Sequence, residues 1–204
     1  MNKKIKTICF DLDGVLVDSI NNMSFAWNIT CEKNSLKIPF SKYKQYIGLP
    51  FTKILKNLNL KTNYEKIFND YNNASKKKLN LIRIYSGTHT VLRDLKKRFI
   101  VGIITSKNKT RVTKILKKFK VRFDFVLTPD DLNRGKPYPD AIFKIIDKYN
   151  IKSSEIMYIG DTLYDSKFAE NSKINFLFAN WGYGSIKSKR LKKIKKISEI
   201  YKFL

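Results

Sequence analysis

A chain of 204 residues can bury one sizeable core and a small second unit, and its 43% hydrophobic and 29% charged residues are an ordinary globular mixture. Forty-two Lys and Arg against 17 Asp and Glu leave a formal charge of +25, a balance that draws anions: phosphorylated metabolites, nucleic acid or acidic membrane surfaces. No stretch approaches the ~18 apolar residues of a membrane span, and the apolar run after Lys3, Lys4 and Lys6 is broken by Asp11 and Asp13, which excludes a signal-peptide core.

The lysines are scattered among many Ile, Asn and Tyr residues and form no basic arm, so a compositional bias accounts for the charge as well as a nucleic-acid partner does. Cys9 and Cys31 are too few for a disulfide framework, and a reduced, cytoplasmic setting is expected. Cys9 lies in the apolar run Thr7–Phe10, the first predicted strand. From Val15 to Asn80 only helical patterns follow. Met23, Ala26, Trp27 and Thr30 mark one face, Ile54, Leu55 and Leu58 a second, and Tyr64, Ile67, Phe68 and Tyr71 a third. Trp27 fits either the core of this helical unit or a wall over a site. His89 reads as a helix-start residue.

Further strands are predicted at residues 99–105, 123–127, 156–159 and 176–179, mostly continuously apolar, as strands covered on both faces are. Between them, Val112, Ile115, Leu116 and Phe119 give one amphipathic helix, and Ile142, Phe143, Ile146 and Tyr149 another, opened by Pro139 and Asp140. Strands alternating with helices imply a parallel sheet, hence an α/β fold, with a helical insertion after the first strand. The basic stretch 187–204, with Leu191, Ile194 and Ile197 interleaved, is expected to add a last helix and strand to the sheet rather than a membrane-surface helix.

Chemistry concentrates at strand ends, where open parallel sheets bind ligands. Asp11-Leu12-Asp13-Gly14 projects two carboxylates to one side and then turns. Gly160-Asp161-Thr162-Leu163-Tyr164-Asp165 adds two more after another strand; capping explains one of these, not both together with the first pair. Four carboxylates at adjacent strand ends would repel a phosphate dianion unless a hard divalent cation neutralised them, and Mg²⁺ is the usual one. Thr105 and Ser106 place hydroxyls at a third strand end, and Lys136, between Gly135 and Pro137, places an ammonium at a rigid turn opening a helix.

These segments, in this order and spacing, resemble the haloacid dehalogenase superfamily over nearly the whole chain. Asp11 and Asp13 match its first motif and Thr105 its second. Lys136 with Pro137-Tyr138-Pro139-Asp140 matches the third, and Gly160-Asp161 with Asp165 the fourth. The insertion, with its Gly48-Leu49-Pro50, is similar to the cap of the phosphoglycolate-phosphatase-like branch. The resemblance implies a Rossmann-like core of residues 1–14 and 85–204 and an α-helical cap of residues 15–84. It implies Asp11 as nucleophile, forming an aspartyl phosphate, and Asp13 as acid and base. Mg²⁺ would be held by Asp11, the Asp13 carbonyl and Asp161, with Asp165 assisting through water or by orienting Lys136. Thr105, Ser106, Lys136 and the backbone at Leu12 would clamp the phosphoryl oxygens of a small anionic phosphorylated metabolite. An acid at position 13 favours phosphate chemistry over dehalogenation, since halide leaves without a proton. A phosphomutase of the β-phosphoglucomutase type is the nearest rival. Its relatives carry a cap arginine near Gly-x-Pro, where this chain has Phe51-Thr52-Lys53 and no arginine up to Asn80. A nucleic-acid-associated phosphatase or binding protein is the alternative that the +25 charge motivates.

Overall fold

The computed structural model describes residues 4–60, 63–188 and 190–204. Its centre is a sheet of strands β1 (Thr7–Phe10), β4 (Ile100–Ile104), β5 (Phe125–Leu127), β6 (Ile156–Gly160), β7 (Asn175–Ala179) and β8 (Lys193–Ile194), in the order β5-β4-β1-β6-β7-β8. Every pairing is parallel. Alternate residues serve opposite faces. Ile8, Phe10, Val101, Ile103, Met157 and Ile159 meet α5 (Thr88–Leu95) and α6 (Lys109–Leu116). Cys9, Ile104, Ile156 and Tyr158 meet α7 (Asp140–Tyr149) and α8 (Leu163–Asn171). The register sets Phe10 opposite both Ile103 and Ile159, so the chain leaves β1, β4 and β6 side by side at one edge.

The interval 15–84 is not wholly helical. Val17–Asp18 (β2) and Arg83–Ile84 (β3) pair antiparallel as a short ribbon, too brief to show as an apolar run. Between its strands lie α1 (Ile20–Lys33), α2 (Phe40–Lys44), α3 (Phe51–Asn57) and α4 (Tyr64–Lys77). Buried Asn22, at the start of α1, donates to the carbonyls of Ser75 and Lys78 at 2.9 Å and accepts from the Ser75 hydroxyl at 2.7 Å. The start of α1 is thereby tied to the end of α4. Trp27 lies wholly inside the helices, its Nε1 donating to the Ile38 carbonyl at 2.9 Å and its ring 4.7 Å from that of Tyr43. Of the two roles open to it, core packing is the one it has.

Two other expectations shift. On α7 the buried stripe is Ala141, Ile142 and Ile145, while Phe143 is 59% exposed. The helix carries two overlapping apolar stripes one residue apart, and the one containing small Ala141 allows the closer approach to the sheet. The C-terminal stretch forms β8 followed by a 3₁₀ helix, Ile197–Phe203, not an α-helix. Ile194, Ile197 and Ile200 are buried, and a spacing of three suits the three residues per turn of a 3₁₀ helix. His89 is the second residue of α5, its ring 5.9 Å from that of Phe119.

Truncating a wholly buried indole should cost roughly 3–5 kcal/mol, whereas a surface ring should matter by under about 0.5 kcal/mol. Urea unfolding should therefore show Trp27→Ala strongly destabilised and Phe143→Ala close to wild type.

Candidate active site

Asp11 follows β1, Thr105 follows β4 and Asp161 follows β6, so the register alone gathers them at the adjacent strand ends. Asp11 N–H continues the ladder to the Ile159 carbonyl at 2.9 Å, and Thr105 N–H to that of Leu127 at 3.0 Å. Past these residues the ladder stops. Among the described residues the N–H groups of Leu12 and Ser106 have no acceptor in the protein, although the Leu12 side chain is wholly buried. Gly14, at φ +84°, turns the chain away; a Cβ there would lie 2.1 Å from Asp161 Oδ2. Gly182 crowds the Asp161 side chain as tightly, at 2.3 Å, and Gly184 its main-chain carbonyl, also at 2.3 Å, so two glycines make room for the carboxylate and a third for its backbone.

Lys136 reaches the same point from the loop after β5. Its ammonium, nearly inaccessible, donates to Asp11 Oδ1 at 3.0 Å, Asp165 Oδ1 at 2.7 Å and the Tyr158 hydroxyl at 2.8 Å, which uses all three of its N–H bonds. Asp165 is saturated: its Oδ1 also accepts from Tyr158 at 2.8 Å, and its Oδ2 from the Thr162 N–H at 3.0 Å and hydroxyl at 2.6 Å. Burial opposes its charge, but Lys136, Thr162 and Tyr158 outweigh burial and hold it below the usual carboxylate range. Asp11 differs. Burial, with Asp165 and Asp13 nearby, pushes it up to about 7 against the pull of Lys136. Burial, then Asp165 and Asp11, also drive Asp161 well upward. Asp161 Oδ2 accepts from the Tyr183 N–H at 2.6 Å, but its buried Oδ1 has no partner.

A buried carboxylate oxygen with no donor is costly in a protein interior. Carboxylate oxygens of Asp11, Asp161 and Asp165 lie within 4.8 Å of one another. An all-oxygen set with one unsatisfied member and an excess of negative charge suits a hard cation such as Mg²⁺. The Asp13 carboxylate stands apart from this set. It accepts from the Ser19 hydroxyl and pairs with Lys107 Nζ at 3.0 Å, so of Asp13 only the main-chain carbonyl is a candidate ligand.

Between the strand ends and the helices lies a cavity of about 250 Å³. Asp11, Asp13, Thr105, Ser106 and Lys107 form its floor, and Ile47, Leu49, Pro50, Phe51 and Ile54 its apolar roof. The Ser106 hydroxyl donates to the Gly48 carbonyl at 2.7 Å, so this side chain joins floor to roof. Gly48, at φ +105°, sits where a Cβ would meet Thr162 Oγ1 at 2.7 Å.

The sequence motifs did not reveal Lys107, Tyr158, Arg111, Ser19 or Tyr183 as parts of this region. Lys107 is two residues past Thr105, a period-two offset that could have pointed to it. Burial and then the nearby Arg111 charge lower it to about 8, against the pull of Asp13. Ser19 and Tyr183 are joined only by the fold, the Tyr183 hydroxyl accepting from the Ser19 N–H at 2.6 Å.

A doubly wound parallel sheet with acidic and basic groups converging at its central strand ends is the architecture of a Rossmann-like α/β enzyme. Residues 8–179 match the haloacid dehalogenase-like hydrolase family, and the chain belongs to it. The pyrophosphatase PpaX of Bacillus cereus is 28% identical over 193 residues, covering 87% of this chain and 84% of that protein. A hydrolase from Pseudomonas syringae superposes with a TM-score of 0.86 at 23% identity, covering 97% of each chain. A predicted phosphoglycolate phosphatase from Haemophilus somnus 129PT does so with 0.84 at 21% identity, covering 100% of this chain and 99% of that one. These structures share the fold. Among the described residues no helix is long and apolar enough to cross a membrane.

Because Asp11 titrates at about 7 when folded and 3.8 ordinarily, its favourable contribution is full below the lower value and lost as pH rises through the higher. In EDTA, Asp11→Asn should therefore melt several degrees above wild type at pH 8, with the gap closing toward pH 4. Scanning calorimetry across that range checks the sign.

Proposed function

We propose that this hydrolase is a Mg²⁺-dependent phosphatase that cleaves a small phosphomonoester through an aspartyl phosphate on Asp11. The observation that carries the reading is the contrast within the buried cluster. Asp165 is fully engaged, Asp11 Oδ1 is held by Lys136 while Oδ2 accepts nothing from the described residues, and Asp161 Oδ1 is orphaned. Only Asp11 combines a fixed orientation with an oxygen left over beside the cavity.

In this reading an Asp11 carboxylate oxygen attacks phosphorus in line as the bond to the ester oxygen breaks. Asp13, in its protonated form in the substrate complex, gives that proton to the departing oxygen and is left as the carboxylate that Ser19 and Lys107 hold. It then takes a proton from the water that attacks phosphorus, which releases inorganic phosphate and regenerates the Asp11 carboxylate. Ser19 and Lys107 fix the orientation of Asp13. The N–H groups of Leu12 and Ser106 and the Thr105 hydroxyl bind the phosphoryl oxygens, and Lys136 favours the ionised form of Asp11 beside them. Asp11, Asp161 and the Asp13 carbonyl would hold Mg²⁺, with Asp165 acting through Lys136 rather than directly. The ion supplies charge neutralisation for the phosphoryl group.

The cavity, at about 250 Å³, lies below the range of about 300–1,000 Å³ common for drug-sized ligands. A leaving group of a few heavy atoms fits it. The relatives' names bring two small substrates to this chain, pyrophosphate and phosphoglycolate.

Phosphate release from small phosphate esters should require Mg²⁺, cease in EDTA and fall to background in Asp11→Asn; substantial turnover by that variant would reject Asp11 as nucleophile. In calorimetric titration with Mg²⁺, Asp161→Asn should bind at least about tenfold more weakly than wild type.

A further inference from the structure

Among the described residues one buried cation on the cavity wall has no ion-pair partner. Arg111, in the first turn of α6, is only 7% exposed. Its guanidinium lies over the ring of buried Tyr71 from α4, 4.9 Å from the centroid. Its Nη2 is buried with no hydrogen-bond partner, and no ion pair among the described residues includes it. Lys107, the other cation on this wall, is already engaged by Asp13. Asp130, also on the lining, accepts instead from the Lys109 N–H at 2.8 Å.

A guanidinium cannot shed its proton to escape such a setting. Burying one unpaired works against the fold, and stacking on Tyr71 recovers only part of that cost. The position is nonetheless built. Asn108 accepts from the Arg111 N–H at 2.9 Å and donates to Asn72 of α4 at 3.0 Å, which anchors both sides of the stacked pair. The group lines the same cavity as Asp11, on the wall where the leaving group would lie.

We propose that Arg111 is a specificity-determining residue that binds a second anionic group, a carboxylate or phosphoryl, carried by the leaving group of the substrate. The inference rests on the phosphatase reading above and narrows it to small organophosphates or anhydrides with two anions a few bonds apart. The planar fork of Arg111, held flat by Tyr71, offers its unpartnered N–H to that second anion. A neutral leaving group of the same size gains nothing from it.

The test compares 2-phosphoglycolate, whose second anion is a carboxylate, and pyrophosphate, whose second anion is a phosphoryl, with ethyl phosphate, which has none. For each preparation the readout is the ratio of kcat/KM for a two-anion substrate to that for ethyl phosphate, a ratio independent of the fraction folded. With Arg111→Met, which keeps an apolar stem over Tyr71, the ratio should fall by about tenfold to a hundredfold for at least one two-anion substrate, the range of a lost charge-assisted hydrogen bond. Arg111→Lys, keeping charge but not the fork, should fall less. The substrate whose ratio falls more identifies the second anion as carboxylate or phosphoryl. Ratios unchanged in both variants would overturn the inference while leaving the phosphatase reading intact. If wild type turns over none of the three esters with Mg²⁺, the phosphatase reading fails first and this inference with it.

Discussion

Lys136 is the hub on which the site depends. One buried ammonium faces two buried carboxylates directly, with a third, Asp161, beside them. It cannot satisfy all three, and the fold distributes the shortage unevenly. Asp165 receives four donors, Asp11 the ammonium alone, and Asp161 a single backbone N–H. That gradient separates three chemically identical side chains: one is inert and orienting, one poised, one short of positive charge. Tyr158 helps to set it from within β6, bonding Lys136 and Asp165 together. The parallel register places the cluster, and the glycines around Asp161 allow it to close.

The net charge of +25 and the acidic centre are compatible. Asp11, Asp13, Asp161 and Asp165 are buried, so four of the chain's 17 acids lie inside a basic exterior. An anion is attracted at long range and meets negative charge only at the centre, where a cation would reverse the local sign.

Much of this arrangement was legible in the sequence because it rests on strand periodicity and on turns immediately following strands. Continuous apolar runs identified the sheet, and Asp11, Thr105 and Asp161 each stand directly after such a run. What escaped was whatever depends on contacts between remote segments. Tyr158 belongs to an apolar strand and looks like core until Lys136 arrives from the loop after β5. Tyr183 meets Ser19 across 164 residues of sequence. Arg111 looks like one of many surface cations on an amphipathic helix, and only the approach of α4 turns it inward. The β2–β3 ribbon was invisible for a simpler reason: two residues are too few to form a pattern. On α7 the sequence contained two apolar stripes, and packing chose between them.

That ribbon has a mechanical consequence. The chain passes between the sheet and the four helices over the cavity through its two strands, and these are bonded to each other. The entering strand begins three residues past Gly14, and Ser19, just beyond it, holds the Asp13 carboxylate. The support of the roof and the donor that sets the proposed acid are thus neighbouring parts of one short lever. Of the two contacts that hold the Asp13 carboxylate, one therefore comes from the strand that carries the roof and the other, Lys107, from the sheet.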